Sequence, residues 1–275
     1  MSILIEQFQA ASAARQPVCI TGGNSKIFYA GTCDAMPLST LEHKGIITYQ
    51  PEELVITARA GTPLSEINQV LAERGQMLAF EPPDFDCTGT LGGMVASGFS
   101  GPARPWRGSL RDAVLGTRII NGKGDELHFG GEVIKNVAGY DAAKLMAGAF
   151  GGLGLILEAS IRTRPLPAAE QTRVLEMNQQ TALQEMQQLG RSTLPVSAAA
   201  WSNGTLFIRL SGNTASVTSA AETVGGETLQ EENFWLNFNQ QRHQFFQTQK
   251  NLWRLSLPPA CPNIELPGEQ LLDWG

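Results

Sequence analysis

The sequence predicts a mixed α and β protein built in two parts. Three observations support this. Short β-prone runs alternate with amphipathic helical stretches through residues 1–165. Glycine clusters punctuate that same region at residues 22–23, 87–101 and 148–154. Beyond Pro165 glutamine becomes frequent, the clusters stop, and Leu166-Pro167-Ala168-Ala169 reads as a linker. The expected parts are residues 1–165 and 170–275, the first with lobes of about 1–50 and 51–165.

Taken in order, Ile3, Leu4, Phe8 and Ala11 lie at roughly helical spacing, and Pro17 ends that helix. Residues 18–21 form a short strand that breaks at Gly22-Gly23-Asn24-Ser25-Lys26, with Lys26 read as a solvated surface residue. Residues 45–60 read as strands turning at Gln50-Pro51, with Leu54, Ile56 and Ala58 alternating against Val55 and Thr57. Thr62-Pro63 resembles an N-cap and a first-turn proline. Leu64, Ile67, Val70 and Leu71 then share a helical face, and Gly75 stops the helix. A hairpin is expected over 114–129, with its turn at residues 121–125. Asp141 is placed to cap a short helix carrying Leu145 and Met146 on its apolar side. Leu155, Leu157, Ala159 and Ile161 alternate along a strand stopped by Pro165.

In the second part, residues 174–190 read as a strand then a helix. A hairpin bends at Asn203-Gly204. Helices are expected near 214–224 and 232–247, and a strand at 252–257. The ending Asp273-Trp274-Gly275 carries no capped helix or polar tail, which suggests a truncation, a natural end being the alternative.

Composition excludes several classes. Hydrophobic residues make up 42% of the 275, enough for a sizeable core. A net charge of −6 gives no support to nucleic-acid binding. No run approaches the ~18 apolar residues of a membrane span. The N-terminus lacks the basic and apolar regions of a signal peptide, so the expected location is cytoplasmic, with membrane association through a complex. Cys19, Cys33, Cys87 and Cys261 show no Cys-x-x-Cys spacing. They read as reduced thiols, and no metal site is expected.

The stretch at residues 87–101 carries the chemistry. Gly89, Gly92, Gly93, Gly98 and Gly101 are interleaved with Thr88, Thr90, Ser97 and Ser100. Backbone freed of side-chain bulk can turn successive N–H groups toward an anion, and the hydroxyls add donors. This reads as a cradle for a diphosphate; the alternative is a glycine-rich connection. The turn at residues 22–26 is a second candidate phosphate contact, without P-loop spacing. Gly152-x-Gly154 precedes a strand, the reverse of a dinucleotide fingerprint.

Together these segments resemble the FAD-binding domain of the vanillyl-alcohol oxidase/p-cresol methylhydroxylase (PCMH) type. The carriers are residues 21–25, 90–98, 107–116 and 144–154. Residues 56–64, 129–133, 135–141 and 266–271 are similar to the FAD-binding subunits of glycolate oxidase (glycolate dehydrogenase). The resemblance implies an α+β, two-lobed PCMH-type FAD-binding domain followed by a smaller, incomplete α/β cap domain. It implies FAD contacts at Gly22, Gly23, Asn24, Ser25, Thr90, Gly92, Gly93, Ser97, Gly98, Gly108, Ser109, Gly154 and Ile156. Asn24 and Ser25 stand where many relatives carry a covalent histidine or cysteine, so the FAD is expected to be non-covalent. The implied activity is oxidation of glycolate, a 2-hydroxy acid, to glyoxylate. The implied partners are a larger FAD-binding glycolate oxidase subunit and an iron–sulfur subunit.

No acid–base set stands out. His43, His128 and His243 occur singly, and each reads as structural or solvated. Arg104, Arg107 and Arg111 could hold a carboxylate or make surface pairs. Trp106, Trp201, Trp235 and Trp253 read as core or interface anchors, and Tyr140-Asp141 as a cofactor contact or a helix cap. Three other readings remain open: a self-sufficient FAD-dependent D-2-hydroxy acid dehydrogenase, a non-catalytic scaffold with a vestigial flavin site, and an NADPH-dependent reductase on the same fold. The last would need a nicotinamide site, for which the sequence carries no signal.

Overall fold

The computed structural model describes residues 3–131, 140–248, 251–258, 260–264 and 266–273. The chain divides into two units. One comprises Met1–Phe99 and Ser109–Leu166, the other Ser100–Gly108 and Pro167–Gly275. The motif residues 132–139 lie outside the described residues.

The first unit opens with α1 (Ile3–Ala13), β1 (Val18–Thr21), α2 (Ile27–Ala30) and β2 (Met36–Ser39). It continues through β3 (Ile46–Gln50), β4 (Val55–Arg59), α3 (Leu64–Ala72), β5 (Gln76–Leu78) and α4 (Leu91–Ser97). After α5 (Arg104–Arg107), which belongs to the second unit, come α6 (Leu110–Ala113), β6 (Val114–Ile120), β7 (Glu126–Gly130) and β8 (Leu155–Pro165). An antiparallel sheet runs β3-β4-β8-β6-β7, with β5 also paired to β8; β1 and β2 form a separate parallel pair.

Both faces of this sheet are covered, so its central strands are apolar on both sides. Val55 through Ala58 are all buried, where alternation predicted one dry face. Leu54, placed in that alternation, lies before the strand at φ 56°. Leu64, Ile67 and Leu71 of α3, with Leu91, Met94 and Val95 of α4, pack against Ile56, Ala58, Ile156, Ala159 and Ile161. Leu4, Ile5 and Phe8 of α1 pack with Leu38, Ile120, Leu155 and Leu157. Ile5 points inward; Ile3, expected on the apolar face, is exposed. Inside the sheet, Thr57 Oγ1 and Ser160 Oγ share a hydrogen bond of 2.8 Å, so neither hydroxyl is orphaned.

Thr62 does not cap α3. The helix begins after Pro63 with no side-chain cap. The Thr62 hydroxyl, fully buried, instead accepts from Gly45 N at 2.9 Å and donates to Arg59 O at 2.7 Å. It thereby ties the end of β4 to the start of β3. Asp141 likewise makes no cap but pairs with Lys144 at 2.7 Å, and Leu145 is exposed while Met146 is buried.

The second unit contains β9 (Ala169–Glu176), α7 (Gln179–Leu189), β10 (Val196–Ser202), β11 (Thr205–Gly212), α8 (Thr214–Val224) and β12 (Glu227–Thr228). It ends with α9 (Phe234–Asn239), α10 (Gln244–Thr248) and β13 (Leu271–Asp273). Its antiparallel sheet runs β12-β9-β11-β10-β13. Asn203 and Gly204 both take positive φ, 48° and 80°, as a two-residue hairpin turn requires. Asn178 and Asn213 cap α7 and α8 through Thr181 N and Ser216 N. Helices α7 and α8 cover one sheet face; Phe234, Trp235 and Phe238 of α9 cover the other.

Two expectations for this unit are corrected. The helix foreseen over 232–247 is broken between α9 and α10, where Gln241 takes φ 55°. Residues 252–257 form no strand, and Trp253 is 89% exposed. The edge beside β10 is taken by β13 instead.

Replacing Thr62 with Val removes one hydroxyl and leaves the part-buried Gly45 N–H without its acceptor. We expect a loss of about 1–3 kcal/mol in urea unfolding, with Thr62→Ser close to wild type. A Val variant as stable as wild type would show that the bridge contributes nothing.

Candidate flavin diphosphate site

Strand β1 ends at Thr21, whose carbonyl accepts from both Thr40 N (2.8 Å) and Thr40 Oγ1 (3.0 Å). The chain then turns through residues 22–25, with Asn24 at φ 57°. Among the described residues, the amides of Gly22, Gly23, Asn24 and Ser25 donate to no protein acceptor. Successive free N–H groups at a residue in the left-handed region form a concave anion site. A methyl group on Gly22 would lie 2.7 Å from Thr90 Oγ1, and one on Gly23 would overlap the Thr88 carbonyl. Glycine therefore seats the turn directly on residues 88–90.

The second segment differs from its expected form. Thr90 caps α4, its hydroxyl accepting from Gly93 N at 3.2 Å. Leu91 N donates to Thr62 O and Gly92 N donates to Ala60 O at 2.7 Å. The amides of Gly92 and Gly93 are thus engaged within the protein and do not form an open cradle. A methyl at Gly92 would meet Ala60 Cβ at 2.8 Å. The glycine there lets α4 lie close on the end of β4.

The remaining expected contacts have other local roles. Ser97 Oγ donates to Met94 O, and Gly98 ends α4 at φ 72°. Gly148 N and Phe150 N donate to Val95 O and Ala96 O, fastening the third glycine loop to α4. Gly154, at φ 140°, abuts the Ile120 carbonyl. The Ile156 side chain is buried in the apolar core of the first unit. Ser109 is engaged in a capping box with Asp112. The two Ser109 hydrogen bonds hold the Asp112 carboxyl below its ordinary range. Gly108 ends α5 at φ 86° and falls in the second unit.

Sequence reasoning missed Lys26. It is only 7% exposed, not solvated. Its Nζ donates to Ser25 Oγ at 3.0 Å and lies 5.8 Å from the Phe85 ring centre. Burial lowers its pKa, opposed by the charge of Asp84; burial raises that of Asp84, opposed by a hydrogen bond from Gly89 N. Aromatic side chains follow the turn. Phe28 meets Phe85 edge-on at 5.3 Å, and Tyr29 contacts Phe99 at 5.1 Å and stacks on Phe150 at 5.9 Å. The run Ile27-Phe28-Tyr29 directly after Lys26 was the available signal.

The histidines and arginines singled out by sequence have the following surroundings. His43 has its pKa lowered by burial and by Arg59, and its Nε2 has no partner. His128 is exposed on β7, and His243 packs on Phe234 and Phe238. Arg104 and Arg111 are exposed. In the second unit, Arg107 donates to Ser211 Oγ at 2.7 Å and, with Arg209, lies 3.9 Å from Glu170. Tyr140 is exposed. Among the described residues, no helix is long and apolar enough to cross a membrane, and no group of three acidic, His or Cys side chains could hold a metal.

Comparison with known proteins gives this geometry a context. Residues 3–130 match the FAD binding domain family. Over 272 residues the chain is 46% identical to glycolate oxidase subunit GlcE of Escherichia coli K12, covering 99% of this chain and 77% of that one. The chain belongs to the GlcE family of glycolate oxidase subunits. Glycolate oxidase subunit GlcD of Bacillus subtilis 168 is 28% identical over 58% of this chain and 34% of its own length. An alkyldihydroxyacetonephosphate synthase structure superimposes with a TM-score of 0.69 at 17% identity, over 87% of this chain and 55% of that one. The fold is the PCMH-type FAD-binding fold, and the cofactor of the family is FAD.

The two glycine segments should respond differently to substitution. Gly92→Ala overpacks α4 against β4 and should destabilise the flavin-free chain by about 1–3 kcal/mol, read by urea unfolding. Gly23→Ala must displace the turn from residues 88–90, and titration should show FAD affinity lost. Wild-type affinity in Gly23→Ala would contradict the placement of the site.

Proposed function

We propose that this chain is the FAD-binding subunit of a glycolate oxidase (dehydrogenase) complex that oxidises glycolate to glyoxylate. The observation that carries the reading is the run of unpaired amides at residues 22–25, seated against Thr88 and Thr90, in a chain 46% identical to a GlcE subunit. Those amides and the Thr90 hydroxyl bind the diphosphate; Ser97, Gly98, Gly108, Ser109, Gly154 and Ile156 are assigned to the rest of the cofactor, without a covalent bond. Gly92 and Gly93 act by shaping α4. The bound cofactor supplies the acceptor for the two electrons lost when the alcohol becomes a carbonyl.

No catalytic base is assigned to this chain. The complex supplies it, together with a larger GlcD-type flavoprotein, an iron–sulfur subunit and any membrane attachment. One observation favours a second reading, a scaffold with a vestigial flavin site: the Gly92 and Gly93 amides are already engaged.

Purification, addition of FAD and gel filtration separate the readings. We expect yellow protein with one flavin per chain. Glycolate-dependent dye reduction should occur only after the sister subunits are added. A colourless chain that still binds the GlcD-type subunit selects the scaffold. Turnover by the isolated chain selects a self-sufficient 2-hydroxy acid dehydrogenase.

A further inference from the structure

We infer that Lys26 is a diphosphate-binding residue, whose buried ammonium neutralises the anion held by the amides of residues 22–25. This inference rests on the cofactor reading above. A lysine is rarely this buried without a compensating partner. Here one neutral acceptor, Ser25 Oγ, takes a single ammonium hydrogen. Among the described residues, no carboxylate lies within ion-pair distance of Lys26. Asp84 acts on it only from further away.

Burying an ammonium without an ion partner is expensive. The arrangement is reasonable only if an anion completes it. The position fits that requirement. Ser25 belongs to the free-amide turn, so the hydrogen bond from Nζ to its hydroxyl places the ammonium beside that turn. The Phe85 ring, 5.8 Å from Nζ, adds a cation–π contact. A point charge in a dry setting acts on phosphate oxygens with little screening. The chain thus pairs neutral main-chain donors with one buried cation.

The test is FAD titration of the full chain by flavin fluorescence at several salt concentrations. Wild type, Lys26→Met and Lys26→Arg are compared, with ADP as competitor. Lys26→Met should weaken FAD at least tenfold, weaken ADP in parallel, and flatten the salt dependence; Lys26→Arg should restore most of each. The flavin-free Met variant should melt no lower than wild type, since an uncompensated charge has been removed. Unchanged FAD affinity in Lys26→Met overturns the inference and leaves the cofactor reading intact. Weaker binding with the wild-type salt dependence, or a lower flavin-free melting temperature, also overturns it by assigning Lys26 a packing role. Failure of the wild type to bind FAD removes the cofactor reading itself, and this inference with it.

Discussion

Strand β8 is the constraint from which the first unit follows. It pairs with β4, β6 and β5, and seven of its residues are buried over both faces. A strand apolar on both sides must be covered on both sides. Helices α3 and α4 satisfy one requirement, and α1 with β2 the other. Each covering layer carries one glycine segment. The turn after β1 is seated on residues 88–90, just before α4.

At that meeting the two segments do different work. Residues 22–25 keep their amides free, while residues 91–93 spend theirs on Thr62, Ala60 and Thr90. A glycine-rich stretch can serve a ligand or serve packing, and Gly92 serves packing. The cation of Lys26 sits where the free amides lie, not beside the engaged ones. On the proposed reading, flavin recognition and helix placement are divided between two motifs that look alike in composition.

What was legible in the sequence was what local chemistry decides. Asn203-Gly204 and residues 121–125 fold as hairpin turns because their φ preferences are written in two to five residues. Helix α8 was expected near residues 214–224 and forms over Thr214–Val224. Burial on both faces of β4 was not, because alternation of apolar residues cannot distinguish one covered face from two. Thr62-Pro63 carries the same signature whether the hydroxyl turns to its own helix or to a neighbouring strand. Residues 252–257 have a strand-like pattern, but β13 took the available edge. Lys26 was misread because lysine burial depends on Ser25 and Phe85 being assembled around it.

The second unit is stitched from two separate stretches of chain. Trp106 lies against its core, and Arg107 bonds to Ser211 and faces Glu170. During translation the ribosome releases that indole and guanidinium well before their partners exist. Closing this core is therefore a long-range event, slower than closure of local contacts. A protease cut at the 166–169 linker, or a gene fragment beginning there, separates those two side chains from the polypeptide that houses them. Shuffling of this unit as an independent cassette would have to carry residues 100–108 along with it.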